Sequence, residues 1–285
     1  MNKLILFISV LILTACGGGG GGDGHGSAQS QPGTNTFTGQ SLACGNYDKV
    51  RSGDYVATPN AWGLSNHPSS FVFQNCVGIN PAGQGVQFNA KWNLPSCLAN
   101  PIYPEIIYGL NPGTTSRNDK LPAQISSINS LVVSWDYTVT HTDNVNLQIE
   151  LWLTNTATPS GLAPYQGTMV EFAIVQTLGF SNLSFPIVSI SGVDYYLSAG
   201  NGTGAPNNQY GTIQSGNAPY QYRFFLMPVN PMPTVGTLDF KVLLDYAIQH
   251  NYFPANLYVS DVEFGLEIKS GSGELKLNNY QVSVL

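Results

Sequence analysis

The chain has 285 residues, of which only 9% are charged, and its formal net charge is −6. That balance excludes a nucleic-acid binder, which needs basic patches. Thirty-one glycines, 18 prolines, 15 tyrosines and 13 phenylalanines favour many strands and turns over helices.

Residues 1–15 read as an export signal. Lys3 supplies a short positive start, and Leu4 to Leu13 form an apolar run too short to span a bilayer comfortably. The run ends in Leu13-Thr14-Ala15-Cys16, which resembles a bacterial lipobox. The resemblance implies cleavage before Cys16, lipidation of that cysteine, and anchoring by two or more acyl chains. An ordinary secretory signal with a chance cysteine is the alternative. Gly17 stands where an aspartate would resemble an inner-membrane retention signal, which points to the outer membrane or cell surface. Residues 16–36 are rich in Gly, Ser, Gln, Thr and Pro and read as a tether. About 20 flexible residues would reach roughly 25 Å.

Residues 37–285 fit one large all-β domain. Strand-like runs appear at Ser70–Gln74, Val86–Trp92, Ser130–Thr140, Val145–Leu153, Met169–Gln176, Ile187–Ile190, Tyr220–Met227, Leu257–Ile268 and Leu275–Val284. Turn chemistry lies between them at Asn80-Pro81-Ala82-Gly83, Asn111-Pro112-Gly113 and Ser270-Gly271-Ser272-Gly273. One segment, Leu238–His250, pairs apolar residues at i,i+4 (Val242 with Tyr246, Leu243 with Ala247) and reads as a helix. Asp239 suits its start and Asn251 its end. Many strands with alternating faces and a single helix packed on the outer sheet predict a jelly-roll β-sandwich of two curved antiparallel sheets. An exported chain permits a disulfide between Cys44 and Cys76. Cys97 is then left over, as a buried free thiol or as a rival for either partner. The scattered His67, His141 and His250 show no zinc spacing, and no metal or organic cofactor is expected.

Three strands place acidic residues on a face opposite an apolar one. In Thr168–Val175, Val170, Phe172 and Ile174 share one face and Glu171 points the other way. In Asp261–Ile268, Glu263 and Glu267 oppose Val262, Phe264, Leu266 and Ile268. In Val145–Leu153 all odd positions are apolar, and the even face carries Asn146, Gln148, Glu150 and Trp152. Two carboxylates converging across a sheet are the minimal apparatus for cleaving a glycosidic bond. A tryptophan beside polar side chains suits the apolar face of a pyranose, although Trp152 also reads as an edge-of-core residue. An isolated glutamate on a strand's polar face is ordinarily inert, so these patterns gain weight only together.

Together they resemble the family 12 glycoside hydrolases, small jelly-roll endoglucanases and xyloglucanases. The resemblance covers most of residues 44–285. It rests on Asn60-Ala61-Trp62-Gly63 between Cys44 and Cys76, Ala90-Lys91-Trp92, Tyr103-Pro104, Tyr165-Gln166-Gly167 ahead of Glu171-Phe172-Ala173-Ile174-Val175, the helix segment, and Phe264-Gly265-Leu266-Glu267 before Ser270–Gly273. It implies a Cys44–Cys76 bridge. It also implies a monomeric retaining endo-β-1,4-glucanase acting on a β-glucan, with Glu171 as nucleophile, Glu267 as acid/base and Glu150 as the acid that supports the nucleophile. Asn60, Trp62 and Trp152 are expected to contact sugar, and Glu263 is the rival acid. Ala173 and Val175 replace a Met and a Trp of the family pattern, and Leu266 replaces a Thr. These departures imply a cleft that is wider or less aromatic near the reaction centre. They also keep open a non-catalytic glycan-binding lipoprotein.

Overall fold

The computed structural model describes residues 29–30, 40–64, 72–95, 97–98, 100–111, 114–115, 118–143, 145–158, 168–178, 185–200 and 222–285. The signal segment, Cys16, most of the tether, His67 and Tyr165-Gln166-Gly167 lie outside them.

Two sheets face each other. The smaller, of seven strands, runs in the order Gln29–Ser30, Val72–Ala82, Gly85–Leu94, Gly271–Val284, Leu131–His141 and Val235–Asp239, with Ser41–Ala43 also paired to Val72–Ala82. Gln29 and Ser30 pair in parallel with Val72 and Phe73, so the sheet's edge reaches back into the segment assigned to the tether. An open sheet edge accepts any backbone with free N–H and C=O groups, whatever its side chains.

The larger sheet, of twelve strands, carries the acidic residues. Its labelled strands are β1 (Tyr55–Thr58), β2 (Glu105–Asn111), β3 (Val145–Thr154), β4 (Thr168–Leu178), β5 (Val193–Gly200), β6 (Tyr222–Pro228) and β7 (Asp261–Ile268). Their order across the sheet is β5-β6-β4-β3-β7-β2-β1, flanked by Ile187–Ile190 beyond β5 and Val50–Ser52 beyond β1. Neighbours along this path are antiparallel except β4 and β6, which run parallel.

Alternation decides which residues enter the core. On β3, Val145, Leu147, Ile149, Leu151 and Leu153 are fully buried between the sheets, together with Val170, Phe172 and Ile174 of β4 and Val262, Phe264, Leu266 and Ile268 of β7. The helix α1 (Phe240–Gln249) begins where the last strand of the smaller sheet ends. It buries Phe240, Leu243, Leu244 and Ala247, and Phe240 meets the ring of Phe172 edge-on. The helix thereby covers the inner face of β4 where the smaller sheet stops. Asp239 Oδ1 fixes this junction by accepting from the backbone N–H groups of both Lys241 and Leu131.

Cys44 and Cys76 are bridged, with Cα atoms 4.2 Å apart. Cys44 and Cys76 therefore satisfy each other, and Cys97 is not a rival for either of them. The bridge closes a loop with a sequence separation of 32. Replacing both Cys44 and Cys76 by alanine should therefore lower unfolding free energy by about 3–4 kcal/mol, read from urea denaturation against the oxidised parent.

Candidate active site

The outward face of the larger sheet is an array of polar side chains in register. Glu171 of β4 stands opposite Trp152 of β3. Glu150 of β3 stands between Ala173 of β4 and Glu263 of β7. Gln148 stands opposite Gly265, and Gly265 opposite Glu105 of β2. Asn146 stands opposite Glu267. Glu171, Glu150 and Glu267 thus share one face on three consecutive strands. The line from Glu171 to Glu267 runs diagonally across β3, between Glu150 and Gln148.

This face is polar but not solvated. Glu150 is 4% exposed, Glu105 and Glu263 2%, and Asp261 not at all. Removing so much carboxylate from water favours neutral forms. Burial lifts Glu150 well above the ordinary carboxylate range, and the charges of Glu171, Glu263 and Glu267 add to it. Burial lifts Asp261 similarly, with Glu263 adding to it and the Trp152 backbone N–H, donating at 3.1 Å, opposing it.

Glu105 and Glu263 are hydrogen-bonded to each other through their side chains, which requires a proton between them. Burial raises both carboxyls, which favours the protonated state this pairing needs. Glu105 Oε1 accepts from Asn60 Nδ2 at 2.7 Å, as the carbonyl oxygen of a neutral acid does. Glu263 also accepts from Asn111 Nδ2 and the Trp152 side chain. Burial still leaves its pKa raised overall.

Glu267 differs: it is only half-buried. Burial raises it, while Asn146, Arg223, Lys269 and Gln148 lower it; Asn146 Nδ2 donates to its Oε2 at 3.0 Å. A proton donor must reach its substrate, and Glu267 is accessible where Glu263 is enclosed by Asn111, Trp152 and Glu105. Glu171 is pushed up to about 7, chiefly by burial, with Glu267 and Glu263 adding and Arg223 opposing. Arg223 of β6 stands opposite Glu171 across the parallel pair, with its Nε 3.3 Å from Glu171 Oε2.

Gly265 makes room for Tyr103. A Cβ at position 265 would lie 2.9 Å from the Tyr103 ring and 2.8 Å from the Pro104 carbonyl oxygen. The buried Tyr103 ring occupies the gap between Glu263 and Glu267 in the β7 row. Burial, then Glu150, Glu263, Glu105 and Glu267, raise its hydroxyl well above an ordinary phenol.

Among the residues expected to touch sugar, Trp62 is 41% exposed in a short 3-10 turn, Trp62–Leu64. Asn60 donates its side-chain Nδ2 to Glu105, and its backbone carbonyl accepts from the Tyr103 N–H. Trp152 is half-buried and donates its ring N–H to Glu263, so its edge is committed to the protein. Around Ala173 and Val175, on the Glu171 face, neighbouring elements supply aromatic side chains. Ala173 and Val175 are buried with Phe225 and Met227, and Phe185 and Tyr196 pack against them. Larger side chains on neighbouring strands, such as Phe225 opposite Ala173, occupy the space that the small ones leave.

No protein-family model matches the chain. Solved structures do. A family 12 xyloglucanase from Bacillus licheniformis superposes with a TM-score of 0.67 at 19% identity, over 86% of this chain and 100% of that one. Endoglucanase 3 of Trichoderma harzianum, from the same family, gives 0.65 at 17% identity, over 88% and 100%. The fold is that of the family 12 glycoside hydrolases. In sequence, the xyloglucan-specific endo-β-1,4-glucanase A of Emericella nidulans is 23% identical over 256 residues, 87% of this chain and 93% of that protein. The enzyme of the same name from Aspergillus niger is 26% identical over 250 residues, 85% and 90%.

Sequence reasoning passed over Glu105, Asp261 and Arg223, and gave Glu263 no function beyond rivalry with Glu267. The signal applied to Glu171, one charge in an otherwise apolar strand, also marks Glu105 before Ile106-Ile107-Tyr108 and Arg223 before Phe224-Phe225-Leu226.

The shared proton yields a stability prediction. Glu105 has a folded pKa above its unfolded value of about 4.3, so the folded chain binds more protons. Stability is full below that unfolded value and falls as pH rises through the folded one. Glu105→Gln accepts from Asn60 and donates to Glu263 without a titrating proton. Its melting temperature should stay within about 4 °C of the parent at pH 5 and decline less between pH 5 and 8. Glu105→Leu leaves Asn60 and Glu263 without this partner and should cost about 1–3 kcal/mol in the same melts.

Proposed function

We propose that the protein is a retaining endo-β-1,4-glucanase. The observation that carries this reading is the placement of Glu171, Glu150 and Glu267 on one face of three adjacent strands, in the family 12 fold. Glu171, as carboxylate, attacks the anomeric carbon and forms a glycosyl-enzyme. Glu267 donates its proton to the leaving oxygen, then takes a proton from the incoming water. Glu150, held neutral beside Glu171, supports the nucleophile without adding charge. Retention requires the two reacting carboxyl groups to come about 5–5.5 Å apart around the bound sugar. Trp62, exposed at the rim, offers a ring for a sugar face.

Xyloglucan is the first substrate to test, because the similar fungal enzymes are named for it; cellulose and mixed-linkage glucan follow. The assay is release of new reducing ends by the chain without its signal segment, with the edge strand Gln29–Ser30 kept and the product anomer read by NMR. Glu171→Gln should lower hydrolysis by several orders of magnitude and leave glucan binding intact. Glu267→Gln should lose activity on glucan but keep more of it on aryl glycosides with good leaving groups. A parent that binds glucan and releases no reducing ends between pH 4 and 8 would make this a glycan-binding protein instead.

The proposal extends to location: a lipoprotein anchored through Cys16 at the outer membrane or cell surface, with the residues between Cys16 and the edge strand Gln29–Ser30 as spacer. It rests on Leu13-Thr14-Ala15-Cys16 and the composition that follows. In a bacterial host, the full chain should incorporate a labelled fatty acid and partition with membranes. Cys16→Ser should abolish both.

A further inference from the structure

The site gathers Glu105, Glu150, Glu171, Asp261, Glu263 and Glu267 on or beside one face, and only one of them can be the attacking group. Glu171 forms an ion pair with Arg223 of the neighbouring strand. Three features hold Arg223 there. The parallel register sets its Cα opposite that of Glu171. Its guanidinium carbon lies 6.0 Å from the ring centroid of Phe225, two residues along the same face. On its other side the residue opposite is Gly200, which has no side chain to compete for the guanidinium. The ion pair is partly sheltered, with side-chain exposures of 32% for Arg223 and 14% for Glu171.

We propose that Arg223 is a positioning residue that selects Glu171 as the nucleophile, orienting its carboxylate and pairing its charge from β6. This rests on the hydrolase reading above. The groups facing Glu171 are Trp152 and Glu150 from β3, Glu263 and Glu267 from β7, and Arg223 from β6. The acids favour a protonated Glu171, as burial does; Arg223 alone among these groups opposes them. A protonated Glu171 cannot attack, so without Arg223 the attacking form is confined to higher pH. Arg223 also lowers Glu267, which makes it a common electrostatic neighbour of both reacting carboxyls.

The test uses the intact chain with Arg223→Met and Arg223→Lys, each first shown to melt cooperatively. The pH dependence of kcat/KM on the glucan that the parent hydrolyses is the main readout. Arg223→Met should move the acid limb upward by about one pH unit or more. Activity well below the limb then falls about tenfold per unit, while activity on the alkaline side of the limb is largely kept. Arg223→Lys should recover most of the shift. An unmoved acid limb in Arg223→Met overturns the proposal, as does an equal loss at every pH in both variants. A second readout needs no activity: carbon-13 NMR of the Glu171 carboxyl, assigned by its loss in Glu171→Gln. Its titration should move to higher pH in Arg223→Met, and identical titration in parent and variant overturns the proposal. A parent that hydrolyses no glucan defeats the hydrolase reading, and the carboxyl titration still decides whether Arg223 governs Glu171.

Discussion

Carboxylates cannot leave water together as charges. Glu105, Glu150, Glu263 and Asp261 are almost wholly enclosed on one side of a single sheet, and an enclosed carboxylate must be neutralised, hydrogen-bonded or paired. Each solution appears here. Glu105 and Glu263 share a proton and pass their remaining oxygens to Asn60, Asn111 and Trp152. Asp261 takes a backbone N–H. Glu171 takes Arg223. Among the described residues, no group of acids, histidines or cysteines is placed to hold a metal ion. Protons, amides and the Arg223 guanidinium each act on the site's charge.

On the proposed reading, enclosure is what separates the two acids of β7 as proton donors. Glu263 is enclosed and engaged by three groups. Glu267, two alternations further along, is half open and held by Asn146. Their difference comes from neighbours on other strands, which pattern along β7 does not report.

Much of the architecture was legible from alternation. The runs Val86–Trp92, Val145–Leu153 and Met169–Gln176 fall inside observed strands, and the helix falls inside Leu238–His250 because Asp239 caps it. Tyr55–Thr58, Glu105–Asn111 and Val193–Gly200 were missed. The first is buried on both faces and the second over most of its length, so neither alternates; the third alternates only in part. The outward face of β3 was legible as polar, but its burial was not, since burial depends on what lies above it. The Glu105–Glu263 pair was hidden because its members are 158 positions apart and meet only through the β2–β7 register. Arg223 was hidden for a plainer reason: the search for chemistry followed acids and passed over the one cation in its strand.

Tyr103 is an uncharged wedge. Its ring fills the row that Gly265 vacates, between an acid that holds its place by sharing a proton and an acid suited to gaining and losing one. A cation in that gap would pull both acids toward ionisation, and water would let their fields be screened by dissolved salt. A phenol that resists ionising does neither. The spacing of Glu263 and Glu267 is set by the strand that carries both, and the Tyr103 ring decides what fills the space between them, so shape sets the medium through which these two acids interact.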